Sequence, residues 1–374
     1  MADQRAHTFH EEASLRDQTL GTIAYDQGTG GQQFKDLRNV GYLHRMRLIQ
    51  RYGYQFATTA PTGLDPFATT AGALNRIRVQ ANSIGNLFDC TAEMTAVISF
   101  LDSQYTYGYS PFNVPYLYNV PAAPATGASV LTQEFELPFG LYLANQPYPM
   151  GMLQTALNSQ EVTLFLTFRP FTATAGAAAG SSVYQGGVGL GQVTGGVTAQ
   201  QIYFDPIDYP EAEPDLAYIH RWREWQVGMT ANGDLEIPLI PSNYYLRLIY
   251  WPVTLIGSQL QGDSNVVSRL RLLYGGNLPP FDETIDAVQS RMGRQYGVQL
   301  PAGVIVHDWL EETHTDRDIL DSSVVTALRA MLTLGGNPAN PGYSANFTGA
   351  YCKVGAEELV PLARAPGVAR IQGA

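Results

Sequence analysis

The densest group of ionisable side chains in the sequence lies between His307 and Asp318. His307, His314 and Asp316 could together supply three ligands to a metal ion, because imidazole and carboxylate groups are common protein ligands. Their spacing matches no closed zinc motif, and the segment is expected to connect two strands. The spacing therefore favours a solvated loop over a metal site.

A second acidic group falls in a proline-rich run near the middle of the chain. Its carboxylates could hold calcium, but the run lacks the central glycine and the ligand rhythm of a calcium loop. Its prolines make the run extended and stiff, so we interpret it as a solvated linker between two halves. The acidic residues are Asp205, Asp208, Glu211, Glu213 and Asp215.

Motifs of the common enzyme classes are absent from the sequence: there is no Gly-x-Ser-x-Gly elbow, no HExxH and no P-loop. Gly186–Gly191 resembles a dinucleotide-binding loop, but it opens no helix of a βαβ unit and is interpreted as flexible filler. The adjacent carboxylates Glu11–Glu12 and Glu357–Glu358 are expected to be solvated. We therefore predict no catalytic residue, no cofactor, no bound metal and no enzymatic activity.

Two aromatic stretches, Tyr105–Tyr109 and Trp222–Trp225, could bind another molecule. Exposed tyrosines beside loops could bind glycans, as in lectin-like sandwiches. Aromatic residues are also enriched in contacts between subunits, and this composition favours subunit contacts. A glycan site is the alternative.

The composition indicates a β-rich protein that repels nucleic acid overall. Charged residues make up 15% of the chain, and its 37 glycines and 23 prolines are typical of short strands joined by tight turns. The net charge of −11 opposes binding to phosphate backbones. Cys90 and Cys352 are expected to be buried and reduced. Met1–Gln18 has no signal-peptide pattern and no apolar run reaches membrane-spanning length, so a soluble protein made in a cytoplasm is expected.

An internal repeat is the most informative feature of the sequence. Three short segments recur in the same order in both halves, and the shared order makes chance a poor explanation. The segments are Gln32–Leu37, Tyr42–Ile49 and Leu74–Val79 in the first half, and Asp234–Ile240, Tyr244–Ile249 and Val267–Leu272 in the second.

These segments are predicted to be strands. In Leu74–Ala81, apolar residues alternate with polar ones, which is the period-two pattern of a strand with one solvated face. The arginines on the solvated faces could pair with the acidic face of a neighbouring subunit. They are Arg76, Arg78, Arg269 and Arg271.

Turns and helices complete the predicted elements. Asn232-Gly233 predicts a tight hairpin, because both turn residues must adopt positive φ. Helix is scarce: Asp282–Tyr296, capped by Asp282, is the clear candidate, and Ala92–Leu101 is a weaker one. Many short strands and few helices predict sandwiches or barrels.

The chain is expected to divide at the acidic linker. Residues 1–30 are predicted to be an N-terminal arm, 31–205 a first domain, 206–215 the linker, and 216–374 a second domain with a C-terminal tail. Within the first domain, residues 172–200 are rich in Gly and Ala and lack charge, so they are predicted to form a projecting loop.

The two-module pattern resembles the double jelly-roll major capsid proteins of tectivirus-like phages, which are tailless and icosahedral. In the second half, the helix at Asp282–Tyr296 runs into Leu300–Asp308, and a terminal strand at Val324–Leu334 closes the module. Gly41–Ile49 and Leu74–Val79 resemble the opening of the first module. The resemblance implies an all-β fold of two tandem eight-stranded jelly-roll β-sandwiches with a few short helices and long loops.

The resemblance also implies a structural virion protein. Three chains would form a pseudo-hexagonal capsomer, and capsomers would tile an icosahedral shell. Expected partners are sister chains, penton or minor capsid proteins, and an internal membrane contacted by the N-terminal arm, with no sequence-specific nucleic acid. The expected location is the virion, after assembly in the host cytoplasm. Alternatives are a carbohydrate-binding or carbohydrate-processing double β-sandwich, or another virion part such as a penton, tail or fibre protein.

Overall fold

The computed structural model describes most of the 374-residue chain. The chain divides into two compact units, one formed by Met1–Arg221 with Pro361–Ala374 and the other by Trp222–Val360. The described ranges are 13–25, 31–59, 63–64, 74–82, 84–106, 127–141, 149–155, 161–168, 184–185, 188–206, 217–241, 243–256, 259–274, 281–296, 303–310, 319–322, 325, 327–336 and 343–362.

The first unit is built mainly from strands. Its strand Val162–Phe168 shows why: every second side chain is buried, and the intervening ones are half-buried on the other face. The elements are β1 (Ala13–Ala24), β2 (Gln32–Asp36), β3 (Tyr42–Thr59), β4 (Gly63–Leu64), β5 (Leu74–Ala81), β6 (Gly85–Thr91), α1 (Ala92–Thr106), β7 (Gly127–Pro138), β8 (Leu153–Gln154), β9 (Val162–Phe168), β10 (Tyr184–Gln185) and β11 (Val188–Pro206).

Eight of these strands form two four-stranded arrays with the winding of a jelly roll. One array has the order β1-β11-β3-β7, and the other has the order β6-β5-β9-β2. The chain passes back and forth between the arrays, which is the jelly-roll arrangement of two Greek keys. Tyr25 packs edge-to-face against Phe168 of β9, with ring centroids 5.1 Å apart, so the end of β1 contacts the opposite array.

The second unit repeats this plan. One array has the order β12-β21-β14-β18, with β15 and β19 also pairing with β14, and the other has the order β13-β20-β16-β17. The elements are β12 (Tyr218–Gly228), β13 (Gly233–Pro238), β14 (Tyr244–Ile256), β15 (Gln259–Gly262), β16 (Val267–Tyr274), β17 (Phe281–Thr284), α2 (Ile285–Tyr296), β18 (Ile305–Asp308), β19 (Leu320–Asp321), β20 (Leu328–Leu334) and β21 (Tyr351–Pro361).

The repeat in the sequence is thus a repeat in the structure. The three recurring segments form β2, β3 and β5 in the first unit and β13, β14 and β16 in the second, at equivalent places in the two windings. A helix follows β6 in one unit and β17 in the other. The predicted all-β fold of two jelly rolls is confirmed.

The predicted projecting loop at 172–200 is wrong over its second half. Val188–Pro206 forms β11, a central strand that pairs with β1 along one edge and β3 along the other. Its glycines permit close approach: a Cβ on Gly196 would lie 2.3 Å from the carbonyl oxygen of Ile23. Pairing on both edges outweighs the weak strand propensity of glycine. The supposed flexible filler from residue 188 onward is part of the same strand.

The ends of the modules also differ from the predictions. Ala13–Ala24, placed in the N-terminal arm, is strand β1, and residues 1–12 lie outside the described residues. The predicted terminal strand Val324–Leu334 begins only at Leu328, and it is not the last strand, because β21 follows it.

The turn at Gly233 and the start of α2 also differ from the predictions. Gly233 has the expected positive φ of +129°, but β12 and β13 belong to different arrays, so the turn is a corner and not a hairpin. Asp282 lies in β17, and α2 begins at Ile285. The apolar residues spaced along one face of α2 are buried: Ile285, Val288, Met292 and Tyr296.

Candidate functional site

The structure describes only the beginning of the predicted acidic loop. His307 and Asp308 are buried residues of β18, so the prediction of a solvated loop is wrong for them. His314 and Asp316 lie outside the described residues. Within the described part of the chain, no group of three or more His, Cys, Asp or Glu side chains is arranged to hold a metal ion.

Most of the other predicted polar segments lie outside the described residues. Of the acidic linker, Asp205 belongs to β11, where it pairs with Arg16 of β1 at 3.3 Å. The four remaining linker acids, together with Glu11–Glu12, are not among the described residues. Neither described helix is long and apolar enough to cross a membrane.

A buried ionic cluster in the second unit centres on Arg247 of β14. Arg247 stands opposite Asp308 of β18 on one side and Glu357 of β21 on the other. Its Nε lies 3.2 Å from Asp308 and 3.4 Å from Glu357. The side chains are at most 3% exposed, so the cluster lies almost wholly out of water. Such charges persist only when several partners compensate their lost hydration.

Asp308 connects this cluster to α2. Its Oδ2 accepts hydrogen bonds from the Tyr296 hydroxyl at 2.8 Å and from Gln295 Nε2 at 3.1 Å. Its Oδ1 accepts from the backbone N–H of Leu310 at 2.9 Å. One carboxylate therefore joins a strand, a helix and the following turn.

The first unit has an equivalent cluster centred on Arg47 of β3. Arg47 stands opposite Glu136 of β7, and its Nη2 donates to that carboxylate at 3.1 Å. Ser99 of α1 hydrogen-bonds the backbone N–H of Glu136 at 2.8 Å. In both units, a strand arginine pairs with a carboxylate on the neighbouring strand, and the adjoining helix hydrogen-bonds to the residue that carries this carboxylate.

Glu134 extends the first cluster. It lies 2.8 Å from Arg47, yet its pKa is raised. Burial is the main cause, and the nearby Glu136 carboxylate adds repulsion, while Arg47 opposes the shift.

The adjacent carboxylates Glu357 and Glu358 are buried, so the prediction that they are solvated is wrong. Neighbouring residues of a strand point to opposite faces, and each carboxylate has its own arginine. Glu357 pairs with Arg247, whereas Glu358 accepts from Arg223 and from Asn243 Nδ2, the latter at 2.7 Å. These pairs explain how two charges can occupy a strand buried on both faces.

His307 lies in a packed aromatic group. Its ring centroid is 4.0 Å from that of Phe281 and 4.3 Å from that of Trp309, both in edge-on contact. Burial and the nearby Arg291 guanidinium lower the pKa of His307 to about 3, while Asp308 opposes the shift. The imidazole is therefore neutral at physiological pH.

The aromatic stretch Trp222–Trp225 is only partly available for binding. Trp222 is fully buried in the core, and Glu224 is also buried. Arg223 lies over the Trp225 ring, with its guanidinium carbon 4.5 Å from the centroid. Of the other stretch, Tyr107–Tyr109 lies outside the described residues.

Three of the four solvated-face arginines pair within the chain, contrary to the prediction that they pair with a neighbour. Arg76 lies 2.6 Å from Asp89, and Arg271 lies 2.6 Å from Asp234. Arg269 forms an ion pair with Asp282. Arg78 is the exception.

The two cysteines and an open cavity in the second unit are further features of the described residues. Cys90 and Cys352 are both buried, as predicted, and burial raises the pKa of Cys352 to about 12. An open cavity of about 430 Å³ lies beside Leu239 and is lined mainly by apolar residues. Its two charged residues, Glu236 and Arg329, pair with each other at 2.9 Å.

No protein-family model matches the sequence, and no curated protein matches it. Solved structures do match. The MCP of Sulfolobus turreted icosahedral virus (STIV) superposes with a TM-score of 0.63 at 14% identity, over 96% of this chain and 100% of that one. In an atomic structure of the same virus the values are 0.64 and 14%, over 95% and 92%. The PBCV-1 virus capsid gives 0.56 and 12%, over 96% and 95%.

These matches show the fold. The chain has the double jelly-roll architecture of viral major capsid proteins along almost its whole length, as the sequence predicted.

Proposed function

We propose that this chain is a structural virion protein, the major capsid subunit of an icosahedral virus, and that it works by self-association and not by catalysis. The observation that carries the proposal is the match over 96% of this chain and the whole of the STIV MCP. A fold alone does not fix a function, but this match spans both jelly rolls and so covers the complete architectural unit of a shell protein.

The duplication supports a specific stoichiometry. Each chain carries two jelly rolls of the same winding, so three chains carry six similar modules. Six modules around one axis give a pseudo-hexagonal capsomer, and such capsomers can tile an icosahedral shell. A closed ring also prevents open-ended association.

The ionic clusters of the two modules support this role. Arg47 pairs with the carboxylate of Glu136, whose backbone N–H donates to Ser99 of the helix, and Arg247 pairs with Asp308, whose carboxylate accepts from Tyr296 of the helix. Modules stiffened in this way can bear lateral contacts without local unfolding, because a network of several partners opens only when they separate together.

A capsid subunit of this kind has defined partners and a defined location. The chain associates with sister chains and with penton or minor capsid proteins, and the residues that precede β1 contact a neighbour or an internal membrane. The protein resides in the virion after assembly in the host cytoplasm. Its net charge of −11 disfavours direct binding to nucleic acid.

Light scattering after size-exclusion chromatography, followed by negative-stain imaging, tests the proposal. Particles of three chains with a hexagonal outline are the expected result. A protein that stays monomeric at all concentrations and binds immobilised glycans would instead support a carbohydrate-binding double sandwich.

A further inference from the structure

We infer that a row of three side chains on the outer face of the first jelly roll binds a second copy of this chain. The row consists of Phe34, Phe165 and Arg78, and we name it the aromatic–arginine row. The second copy covers Phe34 and supplies a carboxylate to Arg78. The inference rests on the proposed function, because it identifies one surface through which capsid subunits associate.

The three side chains stand side by side on neighbouring strands. Phe34 of β2 lies opposite Phe165 of β9, and Phe165 lies opposite Arg78 of β5. The two ring centroids are 6.4 Å apart, and the guanidinium carbon of Arg78 lies 4.5 Å from the centre of the Phe165 ring. The cation–π contact holds Arg78 in one orientation, so less side-chain entropy is lost when a partner binds.

Phe34 is the most exposed large apolar side chain in the described part of the chain, at 67% exposure. A single exposed apolar residue is ordinary. Phe34, however, continues into a second aromatic ring and an arginine. Aromatic and arginine side chains are the types enriched at the centres of protein interfaces.

Arg78 has an unsatisfied donor. Its Nε is buried without a hydrogen-bond partner, and Arg78 forms no ion pair within the described residues. Asp89 stands opposite it on β6 but is bound by Arg76 at 2.6 Å and by Asn86 at 2.9 Å. A guanidinium without a carboxylate partner leaves its charge uncompensated, and a partner's carboxylate would pair with it through a charge-assisted hydrogen bond.

The second unit has an equivalent row whose arginine forms an ion pair within the chain, although the Nε of that arginine, like that of Arg78, has no hydrogen-bond partner among the described residues. Its equivalent residues are Glu236, Met331 and Arg271, which stand opposite one another on β13, β20 and β16. Arg271 donates to Asp234 at 2.6 Å, and a glutamate occupies the place of Phe34. The second unit therefore neutralises the charge of its arginine within the chain, whereas among the described residues the first unit offers Arg78 no carboxylate and leaves the Phe34 ring exposed.

The charge balance selects another copy of the chain as that partner. With 33 acidic and 22 basic residues, a second copy offers carboxylates in excess of its own cations. This is the complementarity that favours correct partners. A row with one unpaired cation beside an exposed phenylalanine fits a polyanion poorly, because binding to a phosphate backbone draws on several cations at once.

Sedimentation velocity over a dilution series tests the row with three variants. Arg78→Gln and Phe34→Ser are each expected to weaken self-association at least about tenfold, as truncation at an interface centre does. Arg271→Gln is the matched control, because it neutralises the equivalent arginine of the other module, and it should change association less than about twofold. Thermal melts followed by circular dichroism confirm that each variant folds.

The outcomes separate this inference from the proposed function. A wild-type chain that never associates overturns both. Wild-type assembly that persists unchanged in Arg78→Gln and Phe34→Ser overturns the row and leaves the proposed function standing. If Arg78→Gln leaves assembly intact but reduces binding to duplex DNA or to phosphatidylglycerol vesicles, the occupant is a polyanion, and a second copy is ruled out.

Discussion

Single residues in this protein are placed by charge as much as by hydrophobicity. Arg47 and Arg247 occupy equivalent strand positions, and each faces a carboxylate on the next strand. The side chains of Arg247 and Asp308 are only 3% and 1% exposed, so water solvates neither charge. Burying a matched pair is roughly neutral, but removing one partner leaves the other charge uncompensated.

The substitution Arg247→Met should therefore destabilise the second unit by roughly 3–5 kcal/mol, since it removes the cation that compensates the buried carboxylates of Asp308 and Glu357. Urea unfolding followed by tryptophan fluorescence measures this unit alone, because all four tryptophans lie between Trp222 and Trp309. The control is Arg329→Met, whose ion pair is about half exposed, and its cost should be about 0–1 kcal/mol. Equal costs for the two variants would contradict the role assigned to Arg247.

His307 gives a pH dependence of definite sign. The pKa of His307 is about 3 in the folded protein against 6.5 for a solvated imidazole, so the unfolded chain binds one more proton between these values. Stability is fully present above pH 6.5 and should fall toward pH 3, with a slope of up to about 1.4 kcal/mol per pH unit from this residue. His307→Phe, which keeps an aromatic ring beside Trp309, should flatten that slope in acid titrations followed by fluorescence. An unchanged slope would show that other groups control the acid transition.

The burial of individual charged and polar side chains could not be predicted from the sequence. Glu358 looks solvated in its local sequence, because its partner Arg223 is 135 residues away. His307 looks like a loop residue because it is followed by a highly charged run. A signal was nevertheless present: Arg47 and Arg247 both precede a Leu-Ile pair in the repeated segment, and that recurrence could have identified them as structural.

At the scale of elements, the repeated strands could be predicted, whereas β11 could not. β2, β3 and β5 recur as β13, β14 and β16, and alternation made them visible. β11 escaped because Gly and Thr replace bulky apolar residues there, although its pairing with β1 and β3 supplies hydrogen bonds on both edges. Gly196 of β11 reflects a short distance to the backbone of β1, which no local pattern contains.

Gly196→Ala tests that explanation. Its Cβ would lie 2.3 Å from the Ile23 carbonyl oxygen, so β1 must move, at a cost of roughly 1–3 kcal/mol. Hydrogen exchange read by mass spectrometry should show faster exchange of the β1 amides. Gly228→Ala is the control, because nothing lies within 4 Å of a Cβ there, and it should leave exchange unchanged. Normal β1 protection in Gly196→Ala would show that the glycine is not needed for the pairing.

At the scale of the whole molecule, duplication accounts for both the fold and the proposed function. Two modules of one winding explain why three separate segments could be matched by order alone, and why a helix follows the same strand in each. Assembly partners were less accessible to sequence reasoning. Four arginines looked alike as strand residues, and only their partners in space distinguish Arg78 from Arg76, Arg269 and Arg271.

The proposed closed ring of three chains predicts which oligomers are populated in solution. In a ring of three chains, a dimer has one contact whereas a trimer has three, so the dimer should be scarcely populated at any dilution. Sedimentation velocity should resolve monomer and trimer with little between them. Added salt should shift the balance toward monomer, because screening weakens an arginine–carboxylate contact. The Arg78→Gln variant should lose most of this salt response, whereas Arg271→Gln should keep it. A population dominated by dimers, or a continuous series of larger species, would mean that the two modules do not close a ring.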